Sequence, residues 1–262
     1  MAVPDPLDSF HAALEARHLS ELTFAEVRRA LRALSSLYVE RRGRMAEGAA
    51  FDGAGKRAAF ALYYGPMHFL LVREIVRALG PSARAPRRIL DLGCGTGTAG
   101  AAWALEGGPG TVVEAIDRSG WAVAEARWTL ARLGLDGRAT RADAATASLP
   151  KPPAGVLAAF TVNELAEDSR RQLLARLVEA GRAGSTVLVV EPISRRVTPW
   201  WPAWVEAVRA AGGREDAWRL RPPMPERLAL LGKAAGLEAR ELTGRSLLLP
   251  GKARAPAVHP GA

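Results

Sequence analysis

A glycine-dense turn follows a short apolar run in the first half of the chain: residues 87–100 read RRILDLGCGTGTAG. The apolar run Ile89–Leu92 predicts a buried strand, and a helix is expected to begin after the last closely spaced glycines. Glycine lets backbone N–H groups approach a ligand closely and permits positive φ angles in a tight turn. The stretch therefore predicts a strand–turn–helix unit that binds a ligand.

Two classes of ligand fit this turn. Gly95-x-Gly97-x-x-Gly100, with Asp117 about 20 residues further on, satisfies the pattern of a dinucleotide site. Asp91 favours a different ligand, because a carboxylate at the end of the strand would repel a pyrophosphate held on the same turn. It would attract an ammonium group, and S-adenosylmethionine carries both an ammonium and a sulfonium. The turn therefore favours S-adenosylmethionine over a nicotinamide cofactor.

Two further carboxylates close later strands of the predicted sheet. Asp117 ends the second strand, where its two oxygens can accept hydrogen bonds from both hydroxyls of a ribose. Asp143 ends the third strand, where the carboxylate or its adjacent backbone can read the amino group of adenine. Together with the glycine turn, these positions predict a nucleoside site.

Short apolar runs alternate with amphipathic stretches from residue 87 onward. Such alternation is typical of a parallel sheet covered by helices on both faces. Two final runs are separated by a link short enough for a hairpin, which predicts an antiparallel strand at the end of the sheet. The predicted strands are residues 89–92, 111–116, 156–162, 186–190, 238–242 and 246–249, with a weaker, polar candidate at 138–142.

The first ~80 residues have helical patterns instead. Thr23 and Glu26 have the spacing of a capping box at a helix start. A second helical pattern covers residues 58–79, and Gly65-Pro66 is expected to interrupt it, because proline cannot donate the interior hydrogen bond. Residues 41–56 are predicted to form a loop. We predict a helical cap over residues 1–82, a ligand-binding domain over 83–250, and a disordered tail over 251–262.

The composition of the 262 residues excludes several classes of protein. A single cysteine, Cys94, excludes an intramolecular disulfide framework, a four-cysteine zinc site and an all-cysteine iron–sulfur cluster. The histidines lack metal-ligand spacing, so no metal is predicted. The chain begins without the features of a secretory signal and has no window of ~20 apolar residues, so we expect a soluble, cytoplasmic protein without membrane contact.

The net charge of +9 points to a polyanionic partner such as RNA, although nearly all the basic residues are arginine, as a GC-rich coding bias would produce. Two arginine clusters can either clamp phosphates or form solvated helix faces. They are Arg28-Arg29-Arg32 and Arg41-Arg42-Arg44.

The sequence resembles the class I S-adenosylmethionine-dependent methyltransferases over roughly residues 60–250. The matching pieces are the glycine turn, Asp117, Asp143 with Ala144, and the fourth-strand segment from Leu157 to Leu165. The resemblance implies an α/β, Rossmann-like sheet of seven strands, mostly parallel with a reversed last strand, plus the N-terminal helical cap. It also implies S-adenosylmethionine as cofactor, bound by Asp91, Gly93, Gly95, Gly97, Asp117, Asp143 and Ala144.

A narrower resemblance is to the mitochondrial-type small-ribosomal-subunit methyltransferase-like proteins. It is carried by Tyr63–Met67, Phe160–Leu165 and Val189–Pro192. That family usually has cysteines for an iron–sulfur cluster in its C-terminal part, and this chain has none there. Pro222–Pro225 lies where such ligands would be expected. The resemblance implies RNA or the small ribosomal subunit as partner.

Several side chains near the strand ends have two interpretations. Asn163 can position the methyl acceptor or cap a turn, and Glu191 can be a general base or a structural carboxylate. His68 can accept a proton or pack in the core. The tryptophans Trp200, Trp201 and Trp204 can stack on a flat acceptor or pack on the sheet.

The sequence predicts methyl transfer by direct displacement at the sulfonium, in which the protein aligns acceptor and methyl group in a dry cleft. RNA or a ribosomal component is the first acceptor considered, and a small molecule or natural product is the alternative. A third hypothesis is a ribosome-assembly factor that binds the cofactor without catalysis. The oligomeric state is not predicted.

Overall fold

The computed structural model describes residues 5–40, 51–84, 86–194, 197–237 and 241–251, without the side chains of residues 38–40. The cluster Arg41-Arg42-Arg44 and most of the predicted loop lie outside the described residues. The same holds for residues 252–262 of the predicted tail.

Seven strands within the described residues form one sheet in the order β3-β2-β1-β4-β5-β7-β6. The neighbours among β1 to β5 pair in parallel, and β7 runs antiparallel to both β5 and β6. The predicted seven-stranded sheet, mostly parallel with a reversed last strand, is thereby confirmed. The strands are β1 (Arg88–Leu92), β2 (Val112–Asp117), β3 (Gly137–Arg141), β4 (Gly155–Ala159), β5 (Thr186–Glu191), β6 (Arg214–Leu220) and β7 (Leu242–Leu249).

Helices cover both faces of the sheet. Those described are α1 (Pro6–His18), α2 (Phe24–Glu40), α3 (Ala54–Ala59), α4 (Gly65–Leu79), α5 (Thr98–Gly107), α6 (Gly120–Arg132), α7 (Glu167–Ala183), α8 (Trp201–Ala210) and α9 (Glu226–Ala235). The capping box predicted before α2 is present, since the carboxylate of Glu26 accepts a hydrogen bond from the backbone N–H of Thr23 at 2.8 Å.

Apolar layers cover both faces of the sheet. This agrees with the continuous apolar runs of its strands, which are typical of strands buried on both faces. In one layer, α7 and α8 pack on the sheet, with Trp201 and Trp204 buried against it. This is the packing role considered for these two tryptophans. The other layer joins α4, α5 and α6 to α1 and α2 through residues such as Leu7 and Leu31. The N-terminal helices therefore share a core with the sheet, while the predicted boundary at residues 82–83 stays a prediction.

The end of the sheet differs from the predicted hairpin of residues 238–242 and 246–249, of which residues 238–240 lie outside the described ranges. Residues 242–249 form one continuous strand, β7, in which Gly244 lies opposite Trp218 of β6. The antiparallel partner is β6, whose alternation of exposed and half-buried residues gives no apolar run. The prediction of a turn at Gly244 was therefore wrong, because an isolated glycine can also sit inside a strand where another element approaches closely. Here Leu71 of α4 lies 3.0 Å from the position of a Cβ on Gly244.

The helix before β1 also differs from its prediction. Helices α3 and α4 are joined without a break by a π-helical segment, Phe60–Tyr64. The prediction that the helix breaks at Gly65-Pro66 was therefore wrong. Proline lacks the N–H that an α-helix needs in its interior, and the π-helical segment directly before Gly65-Pro66 is the form that the disturbance takes.

Helix α1 is attached to α6 by a buried carboxylate. Glu125 of α6 accepts hydrogen bonds from Arg17 at 2.8 Å and from Nε2 of His18 at 3.1 Å, and it is 3% exposed. Burial alone would raise the pKa of Glu125, but the hydrogen bonds and charges of His18 and Arg17 outweigh burial and hold it below its usual value. When Glu125 is ionised, its contacts with Arg17 and His18 therefore stabilise the packing of α1 against α6.

We expect Glu125→Gln to lower the free energy of unfolding by roughly 1–3 kcal/mol near neutral pH, because two charge-assisted hydrogen bonds are weakened. A carboxyl group with a depressed folded-state pKa stabilises the fold above its unfolded pKa and loses that contribution as the pH falls. The difference between wild type and variant should therefore shrink on acidification in urea-unfolding experiments. The control Asp168→Asn removes an exposed ion pair with Arg171 and should change little. An unchanged unfolding free energy for Glu125→Gln would contradict the attachment.

Candidate cofactor site

The parallel strands place the predicted site residues along one edge of the sheet. Strands β1, β2, β4 and β5 are mutually parallel, so their carboxyl ends meet at that edge. The glycine turn follows β1, Asp117 ends β2, and Glu191 ends β5. Ligands of open α/β sheets bind beyond this edge.

The glycine turn is shaped by contacts that exclude side chains. Gly93, Gly95 and Gly97 all have positive φ angles, of 64°, 52° and 75°. A Cβ on Gly93 would lie 2.4 Å from Thr161, whose hydroxyl donates a hydrogen bond to the carbonyl of Leu92 at 2.8 Å. The turn after β1 is thus locked against the turn after β4.

Asp117 and the glycine turn are brought together. One carboxylate oxygen of Asp117 accepts a hydrogen bond from the backbone N–H of Gly95 at 3.0 Å, and the other accepts from that of Ser119 at 2.8 Å. Burial raises the pKa of Asp117, and these backbone hydrogen bonds oppose the rise. The carboxylate therefore links the end of β2 to the turn, at the position predicted for a ribose.

Asp91 lies deeper than the sequence suggested. It is 1% exposed, and its Oδ2 accepts a hydrogen bond from the backbone N–H of Gly100 at 3.1 Å. Burial raises its pKa to about 7, the Gly100 hydrogen bond lowers it, and the negative charge of Asp117 raises it. A group with such a pKa can change its charge state when a cation approaches. Its predicted contact with the cofactor ammonium stays a prediction.

The loop after β3 holds Asp143 and Ala144. Oδ1 of Asp143 accepts a hydrogen bond from the backbone N–H of Ala145 at 2.8 Å, so this carboxylate begins a tight turn. The backbone N–H of Ala142 donates to the carbonyl of Asp117 at 3.1 Å. The loop predicted to read adenine is therefore connected directly to the residue predicted to bind ribose.

Asn163 lies in a short 3₁₀ turn, Val162–Glu164, after β4. Its backbone N–H donates to Oε1 of Glu191 at 3.2 Å, and its Oδ1 accepts a hydrogen bond from the indole N–H of Trp200 at 3.3 Å. Glu191 is fully buried, which supports its structural interpretation, because a general base must reach the acceptor. The role of Asn163 in positioning the acceptor stays a prediction.

An aromatic layer over the glycine turn was not predicted from the sequence. The ring of Phe60 lies 3.4 Å from the position of a Cβ on Gly95. His68 stacks on Phe160 with ring centroids 3.9 Å apart, and the ring of Tyr64 lies 6.3 Å from that of His68. Phe160 has a φ of 59°, which is rare for an aromatic residue. The i, i+4 spacing of Phe60, Tyr64 and His68 was the available signal, whereas the partner Phe160 could come only from the fold.

One buried polar atom in the turn fits a missing ligand. Thr96 is 3% exposed, and its hydroxyl has no hydrogen-bond partner among the described residues. A Cβ on Gly65 would lie 2.8 Å from this hydroxyl, so the start of α4 approaches the turn where only glycine fits. Buried hydroxyl groups are rarely left without a partner, so the turn fits a polar ligand.

Comparison with known proteins agrees with this geometry. Residues 89–184, which contain the glycine turn, Asp117 and Asp143, match a family model described as a methyltransferase domain. The chain contains an S-adenosylmethionine-dependent methyltransferase domain. No curated protein matches this sequence.

Solved structures share the fold of the methyltransferase at low identity. The mitomycin 7-O-methyltransferase MmcR is 17% identical, with 94% of this chain and 73% of that chain covered and a TM-score of 0.53. An O-methyltransferase homologue from Nostoc punctiforme PCC 73102 is 14% identical, with 85% and 69% covered and a TM-score of 0.53. A methyltransferase from Aquifex aeolicus is 17% identical, with 68% and 87% covered and a TM-score of 0.46.

S-adenosylmethionine, when bound, supplies an electrophilic methyl group on a sulfonium. The residues of the methyltransferase then have to bind and orient the cofactor and exclude water. In the described ranges, no cluster of three or more potential metal ligands occurs, and no helix is long and apolar enough to cross a membrane.

Proposed function

We propose that the methyltransferase acts on a small, largely apolar acceptor that binds in a groove at the carboxyl edge of the sheet. The groove has a volume of about 420 Å³, within the range of about 300–1,000 Å³ that is typical of small-molecule sites. It lies between the end of β6, the start of β7 and helix α9. This groove is the observation that carries the proposal.

The lining of the groove is mostly apolar, with charges at a few positions. Met224, Leu228 and Leu242 contribute apolar surface, while Lys233 and the Arg221–Glu241 ion pair supply charge. Such a site suits a ligand with an apolar body and one or two polar groups. Its described lining offers no row of free cations for a phosphate backbone.

The groove adjoins the segment that covers the glycine turn. Tyr63 lines the groove, and its hydroxyl donates to the carbonyl of Leu237 at 2.9 Å. The next ring, Tyr64, lies 5.9 Å from Phe60, which contacts the turn at Gly95. The π-helical segment therefore connects the proposed acceptor site to the cofactor site within a few residues.

The fold comparison supports the same acceptor class. Two structures with TM-scores of 0.53 cover 94% and 85% of this chain, so the likeness extends beyond the cofactor domain into the N-terminal helices. Both are described as O-methyltransferases, and one of them acts on mitomycin.

Filling the groove tests this proposal. Incubation with S-adenosylmethionine labelled in its methyl group and with small-molecule fractions of a cell extract should label an apolar compound. Ala229→Trp, at an exposed groove position on α9, should reduce that transfer at least tenfold, because the indole occupies the acceptor's volume. Cofactor affinity, measured by calorimetry, should be unchanged. The matched control Ala175→Trp, at an exposed position on α7, should leave transfer unchanged.

RNA is a second candidate acceptor, supported by the net charge of +9. Within the cluster Arg28-Arg29-Arg32, the guanidinium of Arg32 donates to the carbonyls of Ala234 and Ala235 at the end of α9. Arg28 is half-buried, whereas Arg29 and Arg32 are exposed. This cluster is thus less suited to phosphates than its sequence suggests.

If RNA is the acceptor, the same assay should label RNA. Arg28→Gln combined with Arg29→Gln should then weaken RNA binding, and the log–log salt slope should become shallower by about 0.7 for each lost phosphate contact. Arg182→Gln on α7 is the matched control. Label in RNA but in no small molecule would overturn the proposed acceptor, and cofactor binding without any transfer would favour the non-catalytic assembly factor.

A further inference from the structure

Arg176 of α7 reaches across to the loop that follows β3. Its guanidinium donates hydrogen bonds to the carbonyls of Ala145 and Ala147 through two different nitrogens. A planar guanidinium presents its donors in a fixed fork, so two carbonyls bound by one fork are held at a set distance and angle.

The loop that receives Arg176 is irregular, although Ala144, Ala147 and Leu149 pack in an apolar layer beside the sheet. Residues 142–154 separate β3 from β4 and contain no regular helix or strand. Its first turn closes on Asp143, whose Oδ1 accepts from the N–H of Ala145 and whose carbonyl accepts from that of Ala147, at 2.8 and 2.9 Å. Arg176 binds the two carbonyls on the far side of that turn. The turn is therefore held from both sides.

We infer that Arg176 is a positioning residue that sets the Asp143–Ala147 turn for recognition of the cofactor's adenine. Arg176 acts through the loop backbone and does not itself touch the cofactor. Ala144 and Ala145, at the centre of the turn, are each 6% exposed, so a shift of this turn would move the predicted adenine contacts. The inference rests on the predicted role of Asp143 and is independent of the acceptor.

Two cofactor analogues provide the test, because they differ only at C6 and N1 of the purine, the edge that carries the adenine amino group. S-adenosylhomocysteine carries the 6-amino group, and S-inosylhomocysteine carries an oxygen there. Wild type should prefer the adenine compound in calorimetry. Arg176→Gln should weaken binding of S-adenosylhomocysteine by about tenfold, because two hydrogen bonds to a charged donor are lost. The ratio of the affinities for the two analogues should then be close to one. Arg176→Lys should restore part of the preference, since lysine can still donate to one carbonyl.

Controls separate positioning from general destabilisation. Arg182→Gln, exposed on the same helix, should keep the wild-type preference, and Asp143→Ala should lose it. If Arg176→Gln weakens both analogues equally and leaves their ratio intact, the inference is overturned, because the residue then supports only the fold. It is also overturned if Asp143→Ala and Arg176→Gln both retain the wild-type ratio.

Discussion

Asp117→Ala is expected to lower the affinity for S-adenosylhomocysteine by about ten- to a hundred-fold. Two ribose hydroxyls would lose their shared acceptor, at a cost of about 1–3 kcal/mol. The structure adds a second cost, because the carboxylate also accepts the backbone N–H groups of Gly95 and Ser119. Without it, the glycine turn loses its link to the end of β2. Calorimetry with the purified full chain measures the effect.

Two further variants define what Asp117 contributes. Asp117→Asn keeps one acceptor oxygen for the backbone but offers the ribose a single acceptor, so its affinity should lie between wild type and Asp117→Ala. Asp168→Ala, an exposed carboxylate on α7, should bind like wild type. Circular dichroism should show all variants folded. A folded Asp117→Ala protein with wild-type affinity would mean that the ribose is bound elsewhere.

The second large effect concerns pH and Asp91. The pKa of this buried carboxyl group is raised to about 7. If its ionised form pairs with the cofactor ammonium, affinity for S-adenosylhomocysteine should rise by about 30-fold between about pH 5.5 and about pH 8. Asp91→Asn should abolish this dependence, while its amide oxygen still accepts the N–H of Gly100. Calorimetry over this pH range, in buffers of different ionisation enthalpy, should also detect proton release on binding.

The stability of the unliganded protein should change with pH in the opposite direction. An acid whose folded pKa lies above its unfolded pKa binds more protons in the folded state between the two values. The contribution of Asp91 to the free energy of unfolding should therefore fall between about pH 4 and about pH 7, by a few kcal/mol, and then stay level. Asp91→Asn should remove this slope. If the free energy of unfolding depends on pH in this way but the cofactor affinity does not, Asp91 serves only to link β1 to α5.

Much of the geometry of the candidate cofactor site could be predicted because its determinants are local. Gly93, Gly95 and Gly97 have positive φ angles, which other residues rarely adopt, so their spacing in the sequence already describes the turn. Asp117 ends β2, Asp143 lies two residues beyond the end of β3, and parallel strands bring their carboxyl ends to one edge. An apolar run located β2 within a few residues, and β3 lies where the sequence offered a weaker, polar candidate.

Other features were missed because their signal is not local. Strand β6 is an edge strand without an apolar run, and it is defined by its pairing with β7 across an intervening helix. A lone glycine such as Gly244 is compatible with a turn and with the interior of a strand, so the sequence does not separate the two. The close approach of Leu71 explains why a glycine lies inside this strand. The π-helical segment before Pro66 likewise depends on the helices on either side, which are held by the shared core.

Short segments of the chain were enough to predict the parallel sheet, the glycine turn and the choice of cofactor, because each depends on local backbone angles, alternation or charge. Other contacts became visible in the folded protein alone. They are the hydrogen bonds of Arg176 to the Ala145 and Ala147 carbonyls, the stacking of His68 on Phe160, and the groove between Tyr63 and α9. These contacts join residues that are distant along the chain. Their geometry follows from how helices pack on the sheet, which no single segment encodes.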